Sequence, residues 1–337
     1  MKSLSRPRQV VSHGRSAFFQ FRMSPLEAMQ QIPKSLPRVQ AERAILKTVL
    51  YSDLFDYALT IGEVVHYLAE TAGCREQVEA ILASPHGLNG QIVQVDGYFT
   101  MPGREDLVNR RRARNLTSRR LWRMARLYGK LLSCLPFVRM VAVTGALAMD
   151  NSDEHDDVDV LIVTAPARVW LARAFAVLIV YAGKLTATRL CPNFVLSEGA
   201  LSLEPRTVYV AHEFVQMVPL SGFAVYQRMR AANLWVRHYL PNAEHPLHHE
   251  PEYHPGFIPR SFKHVAEWLL SGRLGDRLEA WEMRRKIRKF TALSAVGGSV
   301  VFNRHQVKGH FDDHGTLVSA EYQCRLEENN LDVHESS

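Results

Sequence analysis

The first hundred residues carry apolar positions at the three- and four-residue intervals of amphipathic helices. This spacing predicts three short helices, at about residues 41–52, 60–70 and 75–83. Thr60 stands at the start of the second helix, and Glu63 follows it three residues later. Such a pair is typical of a capping box, in which the two side chains satisfy backbone N–H groups at the start of a helix.

The helical pattern gives way to alternating residues over 91–100. Asp96 and Gly97 interrupt the alternation, and an Asp-Gly pair between two strands predicts a β-hairpin. Three short helices followed by a two-stranded hairpin resemble a winged helix. We therefore expect a winged-helix-like domain over residues 41–103, preceded by a disordered basic tail and linker over residues 1–40.

A single long helix is predicted over residues 104–132, within a connecting segment at 104–136. Its apolar stripe has helical spacing and comprises Leu121, Met124, Ala125, Tyr128 and Leu132. Its other faces are basic and carry Arg110, Arg111, Arg112, Arg114, Arg119, Arg120, Arg123 and Arg126. These arginines form either a solvated face or a phosphate-binding surface. The second interpretation makes nucleic acid a candidate partner through residues 104–130.

Residues 141–164 carry the most specific pattern in the chain. An apolar run predicts a strand that ends in the turn Thr144-Gly145-Ala146, and an acidic segment then leads to Asp157, Val158 and Asp159 at the start of a second apolar run. Successive residues of a strand point to opposite faces, so the Asp157 and Asp159 carboxylates are expected on the same side. Two such carboxylates repel each other unless a cation lies between them. Mg²⁺ is the hard cation that best fits oxygen ligands next to phosphate.

This pattern resembles that of the nucleotidyltransferase superfamily, whose fold is that of DNA polymerase β. The family has an apolar strand, a Gly-Ser or Gly-Gly turn, roughly ten residues, and then Asp-apolar-Asp/Glu-apolar. The resemblance implies that Thr144, Gly145 and Ala146 bind the nucleotide, and that Asp157 and Asp159 are catalytic Mg²⁺ ligands. Ala146 departs from the family pattern, because it lacks the hydroxyl with which a serine would contact phosphate.

Two-metal nucleotidyl transfer normally uses a third carboxylate on a neighbouring strand. The predicted strand there contains Asn193, whose carbonyl oxygen could bind a metal but which cannot act as a base. Glu198 and Glu213 lie further along the chain and either could substitute, although a surface or helix-capping role is the preferred interpretation of Glu213. The acidic segment before Asp157 could also be a solvated loop without a ligand.

The rest of the core is predicted to contain a helix at 166–184, strands at 193–196 and 207–210, and a helix at 211–217. The chain beyond is predicted to be helical, at 223–239 and at 259–290 with a break near Gly272. The expected fold is α+β, with a mixed β-sheet nucleotidyltransferase core that carries helices on one face. We place this core at 137–220, a helical C-terminal domain at 221–326 and a frayed tail at 327–337.

The net charge of +7 favours anionic partners such as nucleotides or nucleic acid. The four cysteines are widely spaced and form no Cys-x-x-Cys pair, so neither a zinc site nor a disulfide framework is expected and a reducing cytoplasm is the default location. The most apolar stretch, at 169–183, is too short to span a bilayer and contains Arg173, so we expect no membrane partner. The sequence leaves the oligomeric state open.

Two further groups of polar residues are weaker candidates. His310 and His314, beside Lys308 and Asp312, have the i, i+4 spacing of helical metal ligands, but nearby glycines favour a loop and no convincing zinc pattern is completed. Ser152 is near a histidine but lies in no nucleophile elbow.

The sequence therefore predicts one of two functions. The first is magnesium-dependent nucleotidyl transfer from a nucleoside triphosphate to an unidentified acceptor hydroxyl, with Asp157 and Asp159 at the metal. The second is a catalytically weakened nucleotidyltransferase fold that acts as a nucleotide- or nucleic-acid-binding regulatory protein. Ala146 and the missing third carboxylate favour the second function.

Overall fold

The computed structural model describes residues 36–84, 87–183, 189–294, 303–308 and 314–331. Its N-terminal part contains three helices and a small antiparallel sheet, with strand order β1-β3-β2. The elements are α1 (Arg38–Asp53), β1 (Leu59–Thr60), α2 (Ile61–His66), α3 (Arg75–Leu82), a 3₁₀ turn (Gly87–Gly90), β2 (Val93–Val95) and β3 (Tyr98–Thr100).

Two local predictions for this part are confirmed. The Thr60 side chain accepts a hydrogen bond from the Glu63 N–H, and the Glu63 carboxylate accepts one from the Thr60 N–H at 2.8 Å, which completes the capping box of α2. Asp96 and Gly97 have φ angles of 51° and 82° and join β2 to β3 as a hairpin. Both features depend on residues close together in the chain, which is why the sequence revealed them.

A long helix, α4 (Leu107–Ser133), follows the hairpin. Its predicted apolar stripe is confirmed, because Leu121, Ala125, Tyr128 and Leu132 are buried and Met124 packs against the same core. The helix lies with this stripe against the second sheet of the protein.

The second sheet has five strands, in the order β7-β4-β5-β6-β8, and is mixed. Its β5 and β6 are parallel, and its other neighbouring strands pair antiparallel. The elements are β4 (Val138–Val143), α5 (Gly145–Ala148), β5 (Val158–Thr164), α6 (Val169–Gly183), β6 (Leu190–Ser197), α7 (Val208–Gln216), β7 (Val218–Ser221), α8 (Phe223–Ala232), α9 (Val236–Tyr239), α10 (Phe257–Leu270), α11 (Arg273–Ser294), β8 (Gln306–Lys308) and α12 (His314–Glu328). The protein is therefore α+β, with one mixed and one antiparallel sheet.

Helices cover both faces of the five-stranded sheet, whereas the sequence predicted them on one face. Val141 and Val160 pack in a core shared with α4 and α6. Met140 and Leu161 point the other way, into a core shared with α7 and α8. The reason is that β4 and β5 are apolar at almost every position, so neither face can be left in water.

The strand predicted at 207–210 is wrong, because these residues begin α7. The Thr207 hydroxyl oxygen accepts a hydrogen bond from the Val210 N–H at 3.3 Å and so caps the helix. The short apolar run at 208–210 contains β-branched residues and fits either a strand or a helix. The capping hydrogen bond at Thr207 determines that it forms a helix. The sequence missed β7, which directly follows α7, and also the short strands β1 and β8.

The helix predicted at 223–239 is interrupted at Asn233. The Asn233 amide donates to the carbonyl oxygens of Leu201 and Met229, at 2.8 and 2.7 Å, and its side-chain oxygen accepts from the Leu203 N–H at 2.8 Å. The three bonds satisfy a buried polar side chain, and the two that reach the distant loop at Leu201 and Leu203 fix the break between α8 and α9. The break predicted near Gly272 is confirmed between α10 and α11.

All described residues belong to one compact unit, Ser35–Ser337. The boundaries proposed at 103/104, 136/137 and 220/221 within this unit stay predictions. The predicted tail up to residue 35 and the end of the chain from residue 332 lie outside the described residues.

Candidate functional site

Gly145 and Asp159 lie next to each other at one end of β4 and β5. The two strands pair antiparallel, and the Thr144 N–H donates to the Asp159 carbonyl oxygen at 3.1 Å. Gly145 has a φ of 67°, a conformation that favours glycine, and a Cβ at this position would lie 3.0 Å from Asp159 Oδ2. The glycine turn therefore leaves room for the aspartate side chain.

This pair lines a cavity of about 580 Å³, which we call the main cavity. Two other residues singled out in the sequence, Ala146 and Asn193, line the same cavity. A volume of this size suits a nucleotide-sized ligand. Four of the six predicted site residues are thus brought to one cavity.

Thr144 and Asp157 lie at neighbouring cavities instead. Thr144 lines a smaller one of about 140 Å³, which shares Asn193 and Glu213 with the main cavity. Asp157 lines a cavity of about 570 Å³ beside α4, and Asp156 lines both that cavity and the main one. The two aspartates of the predicted pair are therefore close in the chain but do not border the same cavity.

Asp159 lies in an unfavourable environment for a charged carboxylate. Burial, together with the negative charges of Asp157 and Asp156, raises its pKa to about 6. The thiol of Cys191, which faces Asp159 across the parallel strands, donates a hydrogen bond to it and acts in the opposite direction. Burial raises the pKa of Cys191 to about 12, with Asp159 acting in the same direction, so the sulfur stays a thiol.

A further carboxylate reaches the main cavity from α7. Asn193 lies at a register irregularity in β6 and lines the cavity, as its strand position suggested. Glu213, for which the sequence favoured a surface or capping role, lines the same cavity. Glu198 pairs with Arg228 at 2.8 Å and does not line it. Of the two carboxylates that could replace a strand aspartate, the structure brings Glu213 to the cavity.

The side-chain oxygen atoms at this end of the sheet are of the chemical type that binds a hard divalent cation. Carboxylate and amide oxygens, as at Asp159, Asp157 and Asn193, are the ligands that Mg²⁺ prefers. Within the described ranges, however, no group of three or more His, Cys, Asp or Glu side chains is arranged to hold a metal ion. This donor set suits an ion that arrives with a phosphate ligand, since Mg²⁺ is commonly bound through one or two carboxylates and substrate oxygens.

Part of the cavity wall is aromatic, which the sequence analysis did not identify. It comprises Tyr51, Phe55, Tyr57, Tyr67, Tyr209 and His212. Tyr51 stacks on His212 with ring centroids 3.7 Å apart and an interplanar angle of 12°. Burial lowers the pKa of His212 to about 3, so its ring is neutral at physiological pH. The available signal was the i, i+4 spacing of Tyr51, on α1, and Phe55, in the turn directly after α1. Nothing local shows that α1 meets α7.

Two arginines of α4 hold the acidic loop that precedes β5. Arg111 is buried, donates to the Met149 carbonyl oxygen at 2.7 Å and pairs with Glu63 at 2.8 Å. Arg114 lines the cavity and makes two hydrogen bonds to the Asp153 carboxylate, at 3.1 and 2.9 Å. These contacts tie the loop to α2 and α4, which a purely solvated loop would not need.

Carboxylates already occupy much of the basic face of α4. Besides the two pairs above, ion pairs join Arg110 to Asp56 and Asp106, Arg112 to Asp96, and Arg126 to Glu250. Within the part of the chain that the structure describes, no ion pair is formed by Arg119, Arg120 or Arg123. A nucleic-acid interface through residues 104–130 would therefore depend on three arginines rather than eight.

The C-terminal polar cluster is only partly described. Lys308 ends β8 and His314 begins α12, whereas His310 and Asp312 lie outside the described residues. The loop expected around Gly315 is wrong, because this glycine lies in the first turn of α12.

Comparison of the chain with protein-family models, curated proteins and solved structures finds no match, so the site is interpreted from its own geometry.

Proposed function

We propose that this protein has a nucleotidyltransferase fold, binds a nucleoside triphosphate with magnesium, and transfers the nucleotidyl group to an acceptor hydroxyl. One observation carries the proposal: the glycine turn after β4 and the aspartate at the start of β5 line one cavity, in direct proximity at Gly145 and Asp159. The resemblance of residues 141–164 to the superfamily pattern supports the same conclusion.

The groups around the cavity suggest a role for each part of the nucleotide. The rings of Phe55 and Tyr209 offer aromatic surface on which a base can stack. Backbone N–H groups at Gly145 and Ala146 lie in the first turn of α5, where helical N–H groups have no intrahelical acceptor and can donate to phosphate. Asp159, with Asp157 beside it, would hold Mg²⁺. The ion, when bound, supplies charge neutralisation at the phosphates.

The transfer step needs a nucleophile and a place for its proton. The acceptor oxygen forms a bond to the α-phosphorus while the bond from that phosphorus to pyrophosphate breaks. Glu213 is a carboxylate of this cavity that can accept the hydroxyl proton, a role that the Asn193 amide cannot perform. Rate acceleration would come mainly from positioning and from charge complementarity.

Titration calorimetry with each nucleoside triphosphate, with and without Mg²⁺, tests the binding step. We expect magnesium-dependent binding by the parent protein and its loss in Asp159→Asn and Asp157→Asn. The control is Asp96→Asn, which removes an exposed carboxylate on the β2–β3 turn, remote in sequence from the site. Binding that is unchanged in Asp159→Asn, or that does not depend on Mg²⁺, would contradict the proposal.

A catalytically weakened regulatory protein is the second candidate, and Asn193 in place of a strand carboxylate favours it. This candidate predicts the same nucleotide binding but no chemistry. Measurement of pyrophosphate release, with RNA ends, proteins and small alcohols as acceptors, distinguishes the two. Release that is lost in Glu213→Gln supports the enzyme. Binding without release, in both the parent and Asn193→Asp, supports the regulatory protein.

A further inference from the structure

The helix α10 carries its apolar face outward. Its exposed apolar side chains are Phe257, Ile258, Phe262, Val265, Trp268 and Leu269. Phe257 is 84% exposed and Trp268 is 75% exposed, and none of the residues of α10 is buried. In an ordinary surface helix such a stripe faces the core and the charged residues face water. The helix is therefore oriented the opposite way from a normal surface helix.

Two charged residues of α10, Lys263 and Glu267, face the protein body and are bonded to it. The Lys263 ammonium donates to the carbonyl oxygens of Ser133 and Val138, at 2.8 and 2.6 Å. The Glu267 carboxylate pairs with Arg139 at 2.7 Å and accepts from the Phe137 N–H at 2.7 Å. These bonds satisfy backbone polar groups at the end of α4 and at the start of β4. The outward position of the apolar stripe is thus fixed by specific polar contacts.

Two neighbouring helices extend this apolar surface. α11 packs against both α10 and α6. Additional exposed apolar side chains are Leu274, Leu278 and Trp281 on α11 and Leu178 and Tyr181 on α6. We call the exposed apolar residues of these three helices the outer apolar surface. Large exposed apolar side chains on helices that pack against one another often mark a contact with another molecule or with a membrane.

Most of the charged side chains exposed on α11 beside this surface are positive. On α11 the exposed cations are Arg273, Arg277, Arg284, Arg285 and Arg288. The acidic residues of α11 are engaged with the protein itself. Asp276 pairs with Arg168 at 2.8 Å, Glu279 accepts from the backbone N–H of Trp170, and Glu282 is buried against Arg285. The partner that fits is therefore apolar at its centre and anionic at its rim.

We propose that the outer apolar surface binds the surface of a bilayer that contains anionic phospholipid, with α10 and α11 lying in the plane of the interface. Aromatic and aliphatic side chains would enter the boundary between headgroups and acyl chains, and the arginines of α11 would contact lipid phosphates. No helix in the described ranges is long and apolar enough to cross a membrane. A helix that lies in the plane of the membrane surface needs no such length. The expectation of no membrane partner was based on the lack of a spanning segment, so it does not apply to binding at the membrane surface.

Charge distinguishes this partner from a second copy of the chain. A two-fold contact places the same surface of both copies together, so the arginines of α11 would meet a surface that carries the same charges. Nucleic acid would use the arginines but would leave the six large apolar side chains of α10 in water. An anionic bilayer offers acyl chains to the apolar residues and lipid phosphates to the basic residues.

Vesicle co-sedimentation of the full-length protein tests the proposal. We expect sedimentation with vesicles of equimolar phosphatidylcholine and phosphatidylglycerol, and little with phosphatidylcholine alone. The double variant Phe262→Ser/Trp268→Ser should lose this binding. The matched control, Leu234→Ser/Leu317→Ser, removes two exposed leucines that lie outside the outer apolar surface and should bind like the parent.

The arginines give a second, independent measurement. Arg284→Gln and Arg288→Gln should each weaken binding to the mixed vesicles about fivefold. Arg119→Gln and Arg123→Gln on α4 should leave it unchanged. Far-ultraviolet circular dichroism establishes that each variant is folded.

Three outcomes would overturn the proposal. One is the absence of sedimentation with the mixed vesicles, and another is equal sedimentation with phosphatidylcholine alone. The third is a dimer in light scattering without vesicles that becomes monomeric in Phe262→Ser/Trp268→Ser, which would assign the surface to a second copy. None of these measurements uses nucleotide, so they are independent of the function proposed above.

Discussion

Asp159 Oδ2 occupies the space into which a side chain at Gly145 would project, 3.0 Å from the position of its Cβ. Gly145 also has a positive φ of 67°. Gly145→Ala should therefore lower the free energy of unfolding by about 1–2 kcal/mol for the left-handed backbone, and should displace the Asp159 carboxylate. We expect nucleotide binding, measured by calorimetry, to be lost.

The control for this variant separates backbone strain from the effect on Asp159. Gly97 has a φ of 82°, and no atom of the described residues, apart from its chain neighbours, lies within 4 Å of its would-be Cβ. Gly97→Ala should have a similar stability cost in chemical denaturation and should bind nucleotide as the parent does. Equal nucleotide affinities for the two variants would show that the contact between Gly145 and Asp159 is irrelevant to the site.

Glu213 and Glu198 were alternatives in the sequence, and the structure distinguishes them by position. Glu213 lines the main cavity, whereas Glu198 pairs with Arg228. Glu213→Gln should lower the rate of pyrophosphate release about a hundredfold or more, as expected for loss of a general base. Glu198→Gln should change it little. A rate that is equally insensitive to both changes would remove Glu213 from the proposed mechanism.

His248 predicts a pH dependence of stability. Burial alone would lower its pKa, but hydrogen bonds to Asp150 and Glu250 outweigh burial and raise its pKa above 6.5. A histidine whose pKa is raised by folding stabilises the protein below its unfolded pKa, and this contribution is lost as pH rises through the folded pKa. The stability difference between the parent and His248→Gln should therefore shrink as the pH rises from about 5.5, below the unfolded pKa, through the raised folded pKa.

The measurement is the free energy of unfolding by urea for both proteins across that pH range. His248 stacks on Trp122 with centroids 4.1 Å apart, and this contact contributes at every pH. A stability difference that stays constant across that pH range would mean that the two carboxylates do not stabilise the charged form of His248.

The ion pairs of α4 set a limit on nucleic-acid binding. Arg119, Arg120 and Arg123 form no ion pair with any residue that the structure describes. If each of them neutralises one phosphate, the slope of log affinity against log salt for duplex DNA should be no steeper than about −2.7. Eight arginines would give about −7. Filter binding at several salt concentrations measures the slope, and Arg119→Glu/Arg123→Glu should abolish the binding. A slope near −7 would show that the ion pairs open on binding.

The sequence predicted those features that depend on neighbouring residues. The capping box at Thr60, the Asp96-Gly97 hairpin and the strand–turn–strand around Gly145 each have their determinants within a few residues or within one motif. The failures have determinants far away in the chain. The break at Asn233 depends on Leu201 and Leu203, and the aromatic cavity wall requires α1 to meet α7.

The local sequence pattern was also misleading where the same residues suit either a strand or a helix. Val208, Tyr209 and Val210 suit a strand by residue type, yet Thr207 caps them into a helix, and this places Tyr209 and Glu213 at the cavity. Because the sequence predicted a strand at 207–210, it did not indicate that Tyr209 and Glu213 line the cavity. The continuous apolar character of β4 and β5 was visible, and it indicated burial on both faces rather than one.

The cavity is assembled from segments that leave the ribosome at very different times. Tyr51 of α1 belongs to its wall, Asp159 lies in the middle of the chain, and Tyr322 of α12 packs edge-on against Tyr51 with centroids 5.2 Å apart. The wall around Tyr51 is therefore supported only after α12 has been synthesised. A ligand of this cavity can stabilise the folded protein, but it cannot assist the folding of the nascent chain before α12 emerges.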